Sequence, residues 1–144
     1  MDKNLFDNIN VELEQFINDN CDFTSNTISL ELLKKIEQDC GIKFGSQLSY
    51  YIIKYGYLGY EDIELYGINS KEGINSDLLV QTRYLHDYFE NTKSFIVIDK
   101  MGEFLYSLVD KDDNIYVYDI NNKTCKFLNI KLFDYVLKRF KRQI

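Results

Sequence analysis

The sequence contains no proline, tryptophan or alanine, and it has a single histidine. Its three cysteines, Cys21, Cys40 and Cys125, form no CxxC pair, and an odd number argues against a disulfide framework. The seven glycines stand singly, so no glycine-rich phosphate loop is present. No apolar run reaches about 18 residues, and the acidic stretch Met1 to Asn4 is unlike a signal peptide. These absences predict a cytoplasmic protein that needs no disulfide.

Hydrophobic and aromatic residues are abundant in the sequence. The 144 residues are 45% hydrophobic, with 12 Tyr and 10 Phe, which is ample material for one folded domain spanning residues 1–144. Asn, Lys, Ile and Tyr use AT-rich codons, whereas the missing Ala and Pro need GC-rich ones. This bias predicts an origin in an AT-rich, low-GC bacterial genome.

The charge is unevenly distributed along the chain. The formal net charge is −6, but residues 123–144 carry seven Lys and Arg against the single Asp134. The first 122 residues are therefore strongly acidic. An acidic body opposes docking on phosphates and favours basic protein partners. The cations of the final helix crowd its C-terminus, where they match the helix dipole, so neither nucleic acid nor membrane is predicted as a partner.

Five segments show the apolar spacing of amphipathic helices. Three helices have predicted N-caps, which are Thr27 or Ser29, Ser46, and Ser76 or Asp77. Gly41 is the predicted end of one helix. The predicted helices cover residues 3–18, 29–41, 47–55, 77–89 and 131–142.

The remaining apolar segments predict strands. Residues 61–66 alternate acidic and apolar residues, and residues 95–119 read as a three-stranded meander with turns at Asp99–Gly102 and Asp110–Asn114. Residues 125–128 can add a last strand. The predicted fold class is α+β, with a mostly antiparallel sheet of four to six strands packed with surrounding helices.

No cofactor, metal or catalytic residue is predicted. The run from Asp110 to Asn114 opens like a calcium loop, but Ile115 replaces the required glycine and Asn121 the final glutamate. The three cysteines and His86 also lack the spacing of a zinc site. A small hydrolase using His86 and one cysteine remains a remote alternative, because such partners need be adjacent only in space.

An ordered series of short motifs resembles the SUKH superfamily, the SMI/KNR-like domain, over about residues 25–142. The series comprises a helix ending at Cys40-Gly41, a helix ending at Tyr55-Gly56, the segment Ile63 to Gly67, the helix start Asp77 to Arg83, and the strands from Ser94 to Asp119. One departure is that Phe44-Gly45 stands where the family usually has Leu-Pro.

The resemblance implies a function without catalysis. Bacterial members resemble immunity proteins that bind and neutralise a cognate polymorphic toxin domain, often a nuclease, and related fungal proteins resemble regulatory scaffolds. The prediction is therefore a toxin-binding immunity protein that is not an enzyme. The alternative is an intracellular regulator or scaffold with the same fold and no toxin.

Exposed acids and tyrosines are the predicted contacts with a basic toxin, because acids steer association and tyrosines supply contact area. We expect the protein to be a monomer or weak homodimer. The predicted partner-binding residues are Tyr57, Tyr60, Glu61, Asp62, Glu64, Asp110, Asp112 and Asp113.

Overall fold

The computed structural model describes residues 11–23, 28–68 and 74–144. Within them the chain forms α1 (Val11–Asn20), β1 (Asp22–Phe23), α2 (Leu30–Cys40), α3 (Ser46–Lys54), β2 (Leu58–Tyr60), β3 (Ile63–Leu65), α4 (Leu78–Tyr88), β4 (Ile96–Gly102), β5 (Leu105–Val109), β6 (Asn114–Asp119), β7 (Thr124–Lys131) and α5 (Leu132–Phe140). Short 3-10 helices cover Ile74–Ser76 and Glu90–Thr92.

The α+β class is confirmed, and the strands divide between two antiparallel sheets. β1, β2 and β3 form the smaller sheet in that order, and β4 to β7 form a four-stranded meander. The Tyr66 amide donates to the Ile98 carbonyl at 2.8 Å and joins the end of β3 to β4. The predicted strand 61–66 is thus only the second arm of a hairpin whose first arm, β2, the sequence pattern did not reveal.

Local sequence explains where several helices start and stop. Ser29 caps α2 by accepting from the Leu32 amide at 3.1 Å, and Gly41 ends it with φ +72°, a left-handed conformation that glycine adopts without strain. Asp77 caps α4 through the amides of Leu79 and Val80. The first half of the predicted helix 3–18 and the alternative cap Thr27 lie outside the described residues.

The core lies between the helices and the two sheets. Among the described helices, α5 contributes most to it, because six of its nine side chains are buried. Phe140 of α5 stacks on Phe16 of α1 with ring centroids 5.8 Å apart. The Thr82 hydroxyl of α4 accepts from the Val97 amide of β4 at 2.9 Å.

The predicted turn at Asp99–Gly102 is wrong. β4 continues to Gly102 through two register shifts, and the hairpin turns at residues 103–104 instead. Asp99 is fully buried within the strand.

Candidate partner-binding surface

The eight predicted contact residues lie on two hairpins. Tyr57, Tyr60, Glu61, Asp62 and Glu64 belong to the β2–β3 hairpin, and Asp110, Asp112 and Asp113 belong to the loop between β5 and β6.

The β2–β3 turn exposes two adjacent carboxylates. Tyr60 pairs with Ile63 across the hairpin, which leaves Glu61 and Asp62 as a two-residue turn, with Glu61 at φ +54°. The side chain of Glu61 is 56% exposed and that of Asp62 is 78% exposed. This turn presents negative charge to solvent, as the sequence predicted.

Arg142, which follows α5, reaches this turn. Its Nη2 donates to Glu61 Oε2 at 3.2 Å and also contacts Asp62 Oδ1. The hydrogen bond from Arg142 lowers the pKa of Asp62 below its ordinary value. Because all three side chains are exposed, salt screens this ion pair and leaves the acids accessible to another cation.

Tyr57 and Glu64 lie behind the turn and are joined by a hydrogen bond. The Tyr57 hydroxyl donates to Glu64 Oε2 at 2.8 Å, and the Ser76 hydroxyl donates to Glu64 Oε1 at 2.9 Å. Tyr57 is only 7% exposed, so the prediction that it is an exposed tyrosine is wrong. These two hydrogen bonds fix the orientation of the half-buried Glu64 carboxylate at the base of the turn.

Tyr60 connects this surface to the core. Its ring makes edge contacts with Phe16 and Phe140, with centroids 5.1 and 5.9 Å away. A hydrogen bond with Glu61 raises the pKa of the Tyr60 hydroxyl. Tyr60 is therefore half-buried, with its ring anchored on the core.

A polar pocket of about 320 Å³ opens beside the turn. Acids and bases share its wall, because Lys100 and Arg139 face the acids of the hairpin. Its lining residues are Tyr57, Glu61, Asp62, Ile63, Glu64, Tyr66, Lys100 and Arg139. The pocket therefore combines four of the predicted residues with two cations from β4 and α5.

A buried ionic network, which the sequence reasoning missed, lies beneath this pocket. Arg139 Nε donates to Asp99 Oδ2 at 3.0 Å, and the Tyr135 hydroxyl donates to Asp99 Oδ1 at 2.9 Å. The Ser107 hydroxyl lies 2.5 Å from that of Tyr135. Burial raises the pKa of Asp99, and these hydrogen bonds and the Arg139 charge oppose the rise. An aspartate within an apolar strand was the sequence signal for a buried partner.

The β5–β6 loop uses two of its acids internally. Asp113 is 4% exposed, and its carboxylate accepts from the amides of Gln47 and Leu48 at 2.9 and 3.0 Å. It therefore caps α3 from a distant part of the chain, and the predictions that Asp113 is exposed and that Ser46 is the cap are wrong. Gly45 makes room for it, since a Cβ there would lie 2.3 Å from Asp113 Oδ1.

Asp110 shapes the same loop. Its Oδ1 accepts from the amides of Asp112 and Asn114, both at 2.9 Å, and its Oδ2 accepts from the Tyr116 hydroxyl at 3.1 Å. Partial burial raises the pKa of Asp110, but these hydrogen bonds together lower it by a larger amount. The net pKa is therefore below the ordinary value. Asp112 alone of the three loop acids is exposed.

The hydrolase alternative depends on His86 and a cysteine, and the surroundings of these residues fit a structural role. His86 Nε2 lies 2.8 Å from the Phe95 carbonyl, where it ties α4 to the start of β4. Burial raises the pKa of the Cys21 thiol to about 12 and also raises the pKa of the Cys40 and Cys125 thiols. A thiol in this state carries little nucleophilic thiolate at neutral pH.

Among residues 11–23, 28–68 and 74–144, no cluster of three or more His, Cys, Asp or Glu side chains could hold a metal ion. Within those same ranges, no helix has both the length and the apolar character required to cross a membrane.

The fold and the β2–β3 hairpin define a small α+β protein with exposed acidic residues at its surface. The family model described as SMI1-KNR4 cell-wall matches residues 4–141, so the chain belongs to the SUKH family. No curated protein matches the chain.

Proposed function

We propose that this protein is an immunity protein that binds and neutralises a cognate toxin domain. The observation that carries the proposal is membership of the SUKH family over residues 4–141. The sequence resemblance adds that bacterial members of the family are similar to immunity proteins of polymorphic toxin systems. Binding would then be the whole activity, with no chemical step by this chain.

The exposed acids of the β2–β3 turn supply the contact we propose for the toxin. Glu61 and Asp62 project into solvent beside the polar pocket, and Glu64 adds a third carboxylate at its base. A nuclease toxin carries basic side chains for its own substrate, so complementary charge would accelerate association. A basic side chain of the toxin would compete with Arg142 for the same carboxylates.

The test is protection of growing cells. The toxin domain encoded next to this gene is expressed with and without the protein, and survival is counted. We expect the wild type to restore growth, and the double variant Glu61→Lys/Asp62→Lys to lose protection. The matched control is Glu31→Lys/Asp87→Lys, which makes the same charge change at exposed sites on α2 and α4.

Two outcomes would contradict parts of this proposal. Equal killing with and without the wild-type protein would reject the immunity function. Equal loss of protection by both double variants would show that net charge, and not the β2–β3 turn, guides binding. Circular dichroism of each variant excludes unfolding as the cause.

A regulatory scaffold is the second candidate function, and the reference to the cell wall in the family's name, SMI1-KNR4 cell-wall, favours it. That function requires no toxin gene beside this one. Deletion of the gene distinguishes the two candidates: a scaffold mutant would show a defect in cell-wall assembly in cells that make no toxin.

A further inference from the structure

β7 is the outer strand of the meander, and one of its edges has no strand beside it among the described residues. The order β4-β5-β6-β7 places β7 at the end of the sheet, while β4 at the other end contacts the smaller sheet through Tyr66. At eight residues, β7 is also the longest described strand. An exposed edge of this length presents unpaired N–H and C=O groups that can accept another strand.

The two halves of β7 differ in regularity. Residues 124–127 pair one to one with residues 116–119 of β6, and all four of their side chains are exposed. Beyond Phe127 the register shifts, and Asn129 adopts φ +58°. Such a bulge protects an edge against pairing, so only the segment Thr124–Phe127 is geometrically open.

A ladder of aromatic rings ends at this open segment. The rings of Phe95 and Tyr116 are 4.8 Å apart, and those of Tyr116 and Phe127 are 5.2 Å apart. Phe127 is the outermost ring and is 49% exposed. A residue on an added strand opposite Phe127 would extend the ladder on the same face of the sheet.

The charge of the open segment specifies its occupant. Lys123 and Lys126 are exposed and form no ion pair with any described residue. β7 itself contains no acid. A second copy of the chain would bring the same lysines to this edge, and like charges opposite each other destabilise a strand pair. An acidic segment of another protein fits better.

We propose that the edge Thr124–Phe127 binds an extended acidic segment of a partner protein by antiparallel strand addition. An apolar or aromatic residue of the partner segment packs beside Phe127. The acidic residues of the segment lie on the opposite face of the sheet, next to Lys126. This site is separate from the β2–β3 turn and does not depend on the partner being a toxin.

The probe is a blocked synthetic peptide, Val-Glu-Phe-Glu-Val, added at millimolar concentration to the full-length protein. Its alternation places the aromatic ring on the Phe127 face and both acids on the Lys126 face. We expect NMR shift changes and slower amide exchange confined to residues 124–127. The same peptide with N-methylated backbone amides should not bind, because strand addition depends on main-chain hydrogen bonds.

Charge exchange is the sharpest control. Lys126→Glu should weaken binding of the acidic peptide by about tenfold, as expected when cross-strand attraction becomes repulsion. The same variant should bind Val-Lys-Phe-Lys-Val better than the wild type does. Phe127→Ser should weaken both peptides, and since both substitutions lie on an exposed edge, the fold should persist.

Three results would overturn the proposal. Equal binding of the acidic and basic peptides to the wild type would remove the role of the lysines. Protection outside residues 124–127, or no binding at all, would remove the site. Protection of these residues by dimerisation alone, detected by sedimentation at increasing protein concentration, would identify the occupant as a second copy of this chain.

Discussion

The two hairpin turns are both rich in acidic residues, but they place those residues in different environments. In the β2–β3 turn, Glu61 and Asp62 point into solvent and contact a side chain from the C-terminus. In the β5–β6 loop, Asp110 and Asp113 accept hydrogen bonds from backbone amides, and only Asp112 is exposed. The comparison separates acids available to a partner from acids required by the fold.

Unpaired backbone amides account for this difference. The first amides of α3 have no partner within the helix, and the preceding residue, Gly45, has no side chain to cap them. The β5–β6 loop lies close enough for Asp113 to fill that role. In the β2–β3 turn, Glu61 and Asp62 contact the exposed Arg142 instead of a helix N-terminus, and both side chains remain exposed.

The largest effect that we predict is loss of stability on substitution of Asp113. Asp113→Ala should lower the free energy of unfolding by about 3 kcal/mol, of which about 1 kcal/mol reflects alanine at φ +66°. Urea denaturation measures both this variant and Asp113→Gly, which tolerates that φ and should lose only the cap. The matched control is Asp112→Ala, on the neighbouring exposed residue. Equal stability of the alanine variants would contradict the distinction within the loop.

Gly45 provides a second, independent test of the cap. Gly45→Ala should cost about 2 kcal/mol, because the added Cβ displaces the Asp113 carboxylate from the amides it caps. In the double variant with Asp113→Ala, the methyl group should cost much less, since the carboxylate is already gone. A double-mutant cycle measures this coupling, and strictly additive effects would show that Gly45 and Asp113 act separately.

The sequence predicted the α+β class, the meander and the helix end at Gly41, because local signals determine each of them. It also narrowed two helix starts to a pair of candidates each, Thr27 or Ser29 and Ser76 or Asp77, and Ser29 and Asp77 are the caps in the structure. It did not predict β2, since only three residues form that strand and glycine occupies its middle. Nor did it predict the Asp99–Arg139 pair or the cap by Asp113. Those contacts join residues 40 and 65 or more positions apart, and no periodicity records such a distance.

The same limit applies to the candidate surface. The acids of both hairpins look alike in sequence, and the exposure of Glu61 and Asp62 became distinguishable from the burial of Asp113 only when the neighbouring helix was placed. Gly45 was the one sequence feature that pointed to the cap by Asp113. It stands where the family usually has proline, and its lack of a side chain is what admits Asp113.

Asp110 should produce a smaller effect that depends on pH. Its folded-state pKa is below the ordinary value, so its stabilisation is present above the unfolded pKa of about 3.9 and is lost as pH falls through the folded pKa. Asp110→Asn should cost about 1 kcal/mol at neutral pH, and the cost should shrink below about pH 4. Urea titrations of both proteins across this range measure the difference. A cost independent of pH would show that the charge of Asp110 does not contribute.

The smallest effect concerns the ion pair of the β2–β3 turn. Arg142→Ala should leave stability unchanged, because the arginine and both acids are exposed. It should nevertheless let the pKa of Asp62 rise towards its ordinary value, since the hydrogen bond from Arg142 is the main cause of its lowering. The pKa of Asp110 should not change, because the amides of its own loop hold it. Side-chain carboxyl titration by NMR at low and high salt measures both. High salt should raise the Asp62 pKa in the wild type and leave Asp110 unaffected, whereas parallel shifts would show that both turns respond to the overall charge of the protein.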